Sequence, residues 1–441
     1  MDQNAVMEVK TYGIIGGGMM GMTLALRLAQ QGQKVTLFEA APDLGGLVSS
    51  WKMDDVEWDK FYHVILLSDG YTRGILKEIG LDDTVNWEET KTGFYMNGKL
   101  YSMSDTMEFL KFPTLSLIDK FRLGLTILVA SRIKNWKRLE RIPVTVWLRK
   151  WSGKNTYNKI WLPLLKAKLG DTYNKTSAVF IWATIQRLYG ARRSGLKKEM
   201  FGYVPGGYKM VVETFKQKLL NMGVDIKTSH VATEIKSAGD HKLQAIFTDG
   251  IKYEFDKVVS TLPSSASARL CSGLTENEIT RLNKIEYMGV ICVAVLLRKP
   301  VSPFYITNIT DTWVPFTGVI EMSALVDKTH FNGYSLVYLP KYVLSTDPVF
   351  AKSDEEIRSF FLENFKKMYP HFSDADIRFA GVARARHVIT VLAENYSENL
   401  PGVKTSVPGF YIVNTAHILD GTLNVNETIK VAETKLKEVT D

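Results

Sequence analysis

The chain has 441 residues, of which 45% are hydrophobic and 23% charged, and its formal net charge is +8. This composition is typical of a globular protein with two or three structural units. Two cysteines, Cys271 and Cys292, are too few for a disulfide framework or a metal site and favour a reducing, cytoplasmic setting. The sequence contains no HExxH, GxSxG or paired CxxC motif, so no motif indicates a metalloenzyme or a hydrolase.

We expect neither a secretory signal nor a transmembrane helix in this sequence. The opening residues, MDQNAVMEVK, contain no apolar core of the kind that a signal peptide needs. The apolar, glycine-rich stretch 14–30 contains Arg27 and leads directly into a strand-like run, so we interpret it as a buried helix.

The first forty residues predict a strand, a helix and a second strand. Two apolar runs of strand length flank a segment whose apolar residues recur at helical spacing. The three segments are Thr11–Ile15, Met19–Gln30 and Val35–Phe38. The junction before the helix reads Gly16-x-Gly18-x-x-Gly21. In a dinucleotide-binding motif these glycines permit a tight turn, close approach of the backbone to a pyrophosphate, and close packing of helix and sheet.

This arrangement favours a nucleotide-binding site. A diphosphate would lie at the N–H groups of the helix N-terminus, where the helix dipole is positive. Glu39 ends the second strand, 18 residues after Gly21, where its carboxylate can accept hydrogen bonds from an adenosine ribose. A second pair of glycines, Gly45-Gly46, follows six residues after Glu39 and would let the main chain lie against a long cofactor. The alternative for the glycine motif is a buried strand–helix–strand unit without a ligand, and the alternative for the glycine doublet is a plain turn.

The next part of the chain is predicted to be a hairpin followed by helices. Asn97-Gly98 between two strand-like runs indicates a tight turn, and Thr106 to about Leu196 has a mostly helical pattern. Residues 131–168 hold eleven Lys and Arg residues against one acid, Glu140, together with four of the nine tryptophans. The tryptophans are Trp136, Trp147, Trp151 and Trp161.

Cations beside aromatic residues suit a peripheral contact with an anionic membrane surface, which we assign to residues 111–168. An ordinary helical lobe with a solvated basic face is the alternative. Nucleic acid is not expected, because no RNP-like motif or zinc module accompanies the charge. The expected location is the cytoplasm, with the membrane contact on the inner face of the cell membrane.

The second half of the chain returns to strand and helix patterns, with a hairpin at Asp249-Gly250, a helix at Asp354–Met368 and a final strand, turn and helix. An NAD-type Rossmann domain would be expected to alternate strands and helices for about 150 residues, and this chain does not. We therefore predict an α/β fold with a discontinuous Rossmann-like domain and an inserted α+β substrate domain. Their segments are 1–75, 200–262 and 395–441 for the first, and 76–199 and 263–394 for the second.

Several further segments carry a resemblance to a known family. They are FYHVI at 61–65, PGG at 205–207, VATEI at 231–235, DKVVSTLP at 256–263 and PGFYIVNTAHILDGTLNVNETI at 408–429. With the glycine motif, Glu39 and the glycine doublet, they make the sequence resemble the flavin-containing amine oxidase superfamily over essentially its full length. The resemblance is strongest to bacterial protoporphyrinogen-oxidase-like and phytoene-desaturase-like oxidoreductases.

This resemblance implies that FAD binds across both domains. The implied contacts are Gly16, Gly18, Met20 and Gly21 at the diphosphate, Glu39 at the adenosine ribose, Gly45, Gly46 and Leu47 at the diphosphate and ribityl chain, Val231 at the adenine, and Asn414, Thr415, Leu423 and Asn424 near the ribityl and pyrimidine atoms. No metal is expected.

Two positions depart from the family pattern. Relatives usually have Arg after the glycine doublet, where this chain has Leu47, and Gly-Asp at the end of the last strand, where it has Asn414-Thr415. The first change removes a cation and the second an anion, so their effects on the net charge of the site partly compensate. Asn can still form hydrogen bonds with a ribityl hydroxyl.

The implied activity is that of an FAD-dependent oxidase or desaturase, which transfers a hydride from a bulky, apolar substrate to the flavin. His63 is the candidate catalytic residue because an imidazole can donate or accept a proton near neutral pH, and a structural histidine is the alternative. Phe180, Trp182 and Tyr189 are either core or substrate-facing residues. The functional alternatives are a redox-neutral flavoenzyme similar to UDP-galactopyranose mutase, an oxidase of amine substrates and a non-catalytic flavin-binding protein.

Overall fold

The computed structural model of the protein describes residues 8–190 and 200–441. Its strands are, in chain order, β1 (Thr11–Ile15), β2 (Lys34–Phe38), β3 (Ser50–Met53), β4 (Val56–Asp59), β5 (Ile65–Leu66), β6 (Asn86–Glu89), β7 (Thr92–Met96), β8 (Lys99–Ser102), β9 (Met200–Tyr203), β10 (Asp225–Lys227), β11 (Ala232–Gly239), β12 (Lys242–Phe247), β13 (Lys252–Phe255), β14 (Lys257–Ser260), β15 (Tyr287–Leu297), β16 (Ile306–Ile309), β17 (Gly318–Glu321), β18 (Ser335–Leu344), β19 (Ile377–Thr390) and β20 (Phe410–Ile412).

The helices are, in chain order, α1 (Met19–Gln30), α2 (Gly70–Glu78), α3 (Thr106–Lys111), α4 (Leu117–Arg132), α5 (Lys137–Glu140), α6 (Val144–Thr156), α7 (Leu162–Leu169), α8 (Val179–Gly190), α9 (Gly207–Asn221), α10 (Ser264–Leu270), α11 (Glu276–Asn283), α12 (Asp354–Met368), α13 (Tyr396–Asn399) and α14 (Val425–Thr440). A π-helical turn, Tyr157–Trp161, joins α6 to α7.

A five-stranded parallel sheet forms the first unit, in the order β10-β2-β1-β14-β20. All four neighbouring pairs are parallel. The strands come from three distant stretches of the chain, as expected for the discontinuous Rossmann-like domain. Helices α1, α9 and α14 pack together on it, and α1 buries an almost continuous run of apolar residues because both of its sides are covered.

A seven-stranded mixed sheet forms the second unit, in the order β19-β15-β18-β17-β16-β7-β8. All eleven residues of β15, the second strand in this order, are buried. Because side chains alternate across a strand, one face of β15 contributes Val290 and Cys292 to one apolar cluster and the other face contributes Ile291 and Val293 to another. Helix α12 covers the second cluster, and the first faces the cofactor domain through β3, β4 and β9.

Helices α3 to α8 form a helical lobe inserted between β8 and β9. Its tryptophans point inward: Trp147 is only 4% exposed, and Trp136, Trp151 and Trp161 pack against the same apolar cluster. Three of these four rings are partly exposed, and the interfacial contact expected of this segment stays a prediction. Apolar aromatic rings give more stabilisation in the lobe interior than they would at its surface.

The sequence predicted much of this architecture. The mixed α/β fold is confirmed, as are the hairpins at Asn97-Gly98 and Asp249-Gly250, which join β7 to β8 and β12 to β13. Asn97 and Gly98 both have positive φ, at 53° and 70°. Helix α12 has the predicted bounds. The end of the predicted helical stretch, 191–199, lies outside the described residues, and the domain boundaries stay a prediction.

Asp69 ties the helical lobe to the cofactor domain. Its side chain is almost completely buried, and its Oδ2 accepts a hydrogen bond from the N–H of Leu66 at 2.9 Å. The same carboxylate forms a bidentate pair with Arg187 of α8, with Nη2–Oδ2 and Nε–Oδ1 distances of 3.0 and 3.3 Å. The interaction is charge-assisted and only partly open to water, so it contributes more than a surface ion pair.

We predict that Asp69→Ala lowers the free energy of unfolding by about 2–3 kcal/mol, because it leaves a buried N–H and a partly buried guanidinium without their acceptor. Thermal denaturation measures the loss. The control is Glu398→Ala, which breaks the exposed pair with Arg141 and should cost less than about 1 kcal/mol. Equal losses in the two variants would contradict the role assigned to Asp69.

Candidate active site

The glycine loop after β1 can be built only from glycines at two positions. Gly16 has a φ of 113°, a left-handed conformation that side chains avoid, and its N–H donates to the carbonyl of Phe38 at 2.8 Å. A Cβ on Gly21 would lie 1.9 Å from the carbonyl oxygen of Gly16. Helix α1 therefore starts immediately against the end of β1, as the motif requires.

The N-terminus of α1 opens toward a cleft. Gly18 is the N-cap residue, and within the described residues no side chain caps the helix there. A Cβ on Gly18 would meet only the carbonyl oxygen of Gly45, at 4.0 Å. The side chain of Met20 is buried in the core, so its implied contact with a diphosphate would be made by its main-chain N–H. Uncapped N–H groups at a helix N-terminus form an anion-binding site.

Glu39 lies beside this loop, and its carboxylate can accept more hydrogen bonds than the two it receives from the protein. Its Oε2 accepts the N–H of Gly17 at 2.8 Å and its Oε1 accepts the N–H of Ala41 at 2.9 Å. A carboxylate has about four lone-pair sites, so these two bonds orient it and leave sites for ribose hydroxyls. The partial exposure of its side chain is consistent with that role.

The glycine doublet returns to the glycine loop, as predicted. The N–H of Gly45 donates to the carbonyl of Gly17 at 2.9 Å, and a Cβ on Gly46 would lie 3.4 Å from the Cα of Gly18. Gly46 is exposed, and Leu47 is partly exposed in the short helical turn that follows. The two glycine segments therefore form adjoining backbone walls of one cleft.

Val231 lies at the ribose end of the same cleft. The N–H of His230 donates to the carbonyl of Glu39 at 2.9 Å, and the carbonyl of Val231 accepts from Thr248 at 3.0 Å. Its side chain is 42% exposed. This position, next to the residue proposed to hold the ribose, agrees with an adenine contact, which stays a prediction.

Four residues of the C-terminal turn are expected, from the family resemblance, to contact the cofactor. Two of them form side-chain hydrogen bonds within the protein. The Asn414 amide nitrogen donates to Leu262 O and Ser264 Oγ at 2.9 and 3.2 Å, and its Oδ1 accepts the N–H of Ala416. Asn424 caps α14, because its Oδ1 accepts the N–H of Glu427 at 3.0 Å. Both N–H donors of Asn414 are thus used within the protein, so only its oxygen could accept a further bond.

The other two residues of this turn, Thr415 and Leu423, line a narrow cavity. The remaining lining residues are Phe180, Ile389, Thr390, Leu392, Ile418, Gly421 and Thr422. The cavity is bounded by the helical lobe, by the end of β19 and by the C-terminal turn. Its wall is apolar apart from threonine hydroxyls, and Phe180, one of the aromatic residues selected from the sequence, faces it.

His63, the predicted catalytic residue, packs beside a buried carboxylate. Its Nδ1 lies 3.5 Å from Asp59 Oδ2, a long distance for a hydrogen bond, and its ring meets Tyr208 edge-on. Burial raises the pKa of the Asp59 carboxyl, while His63 and the N–H of Tyr208, at 2.9 Å, favour its ionised form. Because these contacts hold distant segments of the cofactor domain together, they suit a structural histidine as well, and the catalytic role of His63 stays a prediction.

Tyr62 forms a second polar contact in this region that sequence reasoning missed. Its hydroxyl lies 2.8 Å from that of Tyr342 on β18. Burial raises the pKa of Tyr62 to about 12, so it stays protonated at physiological pH. Tyr342 is 280 residues away in sequence, and Asp59 has no motif around it, so no sequence signal could have brought these residues together.

The comparison with known proteins agrees with this geometry. A family model for flavin containing amine oxidoreductases matches residues 19–393. The 15-cis-phytoene desaturase of Glycine max is 34% identical over 433 residues, covering 90% of this chain and 74% of that protein. The zeta-carotene desaturase of Synechocystis is 22% identical over 462 residues, covering 91% of each chain.

The fold is also that of a solved structure. A protein of Exiguobacterium sp. 255-15 described as a protoporphyrinogen oxidase superposes with a TM-score of 0.75. It is 17% identical, and the match covers 98% of this chain and 99% of that one. At this level of identity the match supports the fold and not a specific activity.

We predict that Gly18→Val gives a folded but colourless protein, because its side chain would project into the open cleft between Gly18 and the glycine doublet. Absorbance between 350 and 500 nm measures bound flavin, and circular dichroism checks the fold. Gly74→Ala is the control, since no atom lies within 4 Å of its added Cβ; it should keep the yellow colour. Flavin retained by Gly18→Val would show that the diphosphate does not lie there.

The residues of the cleft fit FAD. They provide a glycine loop at an uncapped helix N-terminus, a carboxylate with free acceptor sites, and a second backbone wall at the glycine doublet. When bound, FAD supplies the redox chemistry, while the protein supplies position and a dry environment. The chain belongs to the flavin-containing amine oxidoreductase family and is an FAD-dependent oxidoreductase of the oxidase or desaturase type.

Proposed function

We propose that this enzyme oxidises a bulky, apolar substrate that it takes from a membrane. The observation that carries the proposal is the inverted polarity of the first turn of α4. On its outer face Leu117, Ile118 and Phe121 are 74%, 72% and 73% exposed, whereas Asp119 and Lys120 are buried. A surface helix normally buries its apolar stripe and exposes its charges, so this apolar face favours contact with another apolar phase.

The apolar surface extends to the neighbouring helix α3, where Met107 and Leu110 are 61% and 45% exposed. Exposed cations surround it; they are Lys111, Arg122, Lys150, Lys154 and Lys159. Residues 111–168 contain two acids, Asp119 and Glu140, and both are buried. An apolar surface bordered by cations matches an interfacial contact with anionic lipids.

None of the helices in the described ranges 8–190 and 200–441 is long and apolar enough to cross a bilayer. The proposed contact is therefore peripheral, with the apolar faces of α3 and α4 inserted at the level of the lipid headgroups. With the basic residues directed to anionic lipids, we place the enzyme on the cytoplasmic face of the cell membrane.

The same lobe connects this surface to the cavity. Helix α8 packs against α4, and Trp182 and Gln186 of α8 donate hydrogen bonds to main-chain carbonyls at the end of α4. The opposite side of α8 presents Phe180 to the cavity beside the C-terminal turn. Helix α8 thus contacts the C-terminal end of α4 on one side and the cavity on the other, while the exposed apolar residues lie at the N-terminal end of α4.

The cavity wall favours a hydrocarbon substrate over an amine. Among the described residues that line it, all are apolar or carry only a threonine hydroxyl, so they provide no anion to bind an ammonium group. Removal of hydrogen from a polyene or isoprenoid hydrocarbon suits this wall, and the desaturases among the relatives support that substrate class.

We predict that the double variant Leu117→Asp/Phe121→Asp binds anionic vesicles at least tenfold more weakly than the unmodified protein. Each apolar side chain removed from the lipid costs about 1.5–3 kcal/mol of binding free energy. Co-sedimentation with vesicles measures the binding. Phe360→Asp is the control, since Phe360 is 51% exposed on the distant helix α12, and it should bind normally. Equal binding by all three proteins, or by neutral and anionic vesicles, would contradict the membrane contact.

We predict that detergent-dispersed polyene or isoprenoid hydrocarbons bleach the flavin absorbance of the purified protein under anaerobic conditions. Stopped-flow absorbance at 450 nm measures the rate. Polyamines and nucleotide sugars are the comparison substrates, and we expect no bleaching by them. Bleaching by polyamines instead would favour an amine oxidase, and turnover of a nucleotide sugar only after reduction with dithionite would favour the mutase-like alternative.

A further inference from the structure

The cavity between α8, the end of β19 and the C-terminal turn is smaller than any substrate of the proposed class. Its volume is about 10 Å³, which is roughly the space that one water molecule needs. Pockets that bind small molecules usually have volumes of about 300–1,000 Å³. A hydrocarbon can therefore enter this cavity only when part of the wall moves.

Main-chain hydrogen bonds hold most of the wall in place. The lining residues of β19 pair with β15 in the seven-stranded sheet. The carbonyl of Leu392 accepts the N–H of Ser177 at 2.8 Å, and the carbonyl of Thr415 accepts the N–H of Ile418 at 3.2 Å. Displacement of the backbone would break these bonds, whereas rotation of a side chain between rotamers would leave them intact.

Phe180 carries the only aromatic ring among the described residues that line the cavity. Its side chain is 6% exposed, and it lies in the first turn of α8. The backbone of this turn is anchored, because the N–H of Ala178 donates to the carbonyl of Ile142 at 2.8 Å. The hydroxyl of Thr184 also donates to the carbonyl of Phe180 at 2.9 Å. The ring is thus the largest part of the wall that can change position without movement of the backbone.

We propose that Phe180 is the specificity-determining residue of this site and limits the width of the hydrocarbon that the enzyme oxidises. The inference rests on the proposed function, which assigns an apolar substrate to this cavity. A slender chain needs only a rotation of the ring, whereas a wide end group needs the volume that the ring occupies. Overfilling of a packed apolar wall displaces its neighbours at a cost in free energy, so a wide group binds more weakly.

A purely structural role for Phe180 has a different experimental signature. The ring belongs to the apolar cluster of the helical lobe, together with Leu392 and Ile185, so its truncation lowers the stability of the protein. A loss of stability changes the amount of folded enzyme and affects all substrates equally. A role in specificity changes the ratio between substrates, and this ratio is the quantity to measure.

The experiment uses the FAD-bound protein and two hydrocarbons that differ in width, a linear polyene and a polyene of the same length with cyclic end groups. Anaerobic bleaching of the flavin at several substrate concentrations gives Kd and the limiting rate separately. Phe180→Ala should lower the ratio of the Kd values, wide to slender, by about tenfold, in the range that one methylene group gives in an apolar pocket. Phe180→Leu should lower the ratio less, and Phe180→Trp should raise it.

Ile185→Ala is the control, since Ile185 is buried on the same helix and in the same cluster but is not one of the described residues that line the cavity. It should leave the ratio unchanged, and circular dichroism checks the fold of each variant. If Phe180→Ala does not fold, Phe180→Leu and Phe180→Trp decide, because both keep a large apolar side chain. An unchanged ratio in the folded Phe180 variants, or an equal change in Ile185→Ala, overturns the proposal. A wild-type flavin that neither hydrocarbon bleaches contradicts the proposed function instead.

Discussion

The tightest steric constraint at any glycine of the described residues is the approach of α1 to the end of β1, at Gly21. It requires the absence of a side chain at Gly21, because a Cβ there would overlap the carbonyl of Gly16. This contact fixes where the helix begins and therefore where its uncapped N–H groups point. Glu39 and the glycine doublet are then positioned by hydrogen bonds to the intervening residue Gly17. The cleft is thus a consequence of one short-range steric constraint, extended by main-chain hydrogen bonds.

The substrate domain follows a different physical rule. Strand β15 is covered on both faces. On the side of the sheet that faces the cofactor domain, the hydroxyl of Tyr342 on β18 meets that of Tyr62. The helical lobe adds the Lys168 amine to that face and presents an apolar surface at its outside. Buried polar groups are thus concentrated where the two domains meet, and exposed apolar groups where the enzyme would meet lipid. Both departures from ordinary burial occur at surfaces with a proposed function.

The sequence predicted the cofactor domain well because its signals are local. The glycine loop, Glu39 and the doublet lie within about thirty residues of one another, and each follows from strand, turn and helix chemistry. The hairpin at Asn97-Gly98 was equally clear. The contact of Lys168 with Tyr342 was not, since these residues come from distant elements and become neighbours only when the lobe packs on the sheet. The sequence also did not predict that the first turn of α4 exposes apolar residues and buries charged ones. A run of Leu, Ile, Asp and Lys does not indicate which side of a helix is buried.

The side chain of Asn426, in the last helix, accepts hydrogen bonds from the N–H groups of Tyr71 and Thr72 at 2.9 and 3.2 Å, and α14 packs against α1. Structural support for these early segments therefore comes from a helix more than 350 residues further along the chain. During synthesis, the nucleotide cleft can acquire its full framework only after both insertions and α14 have been translated.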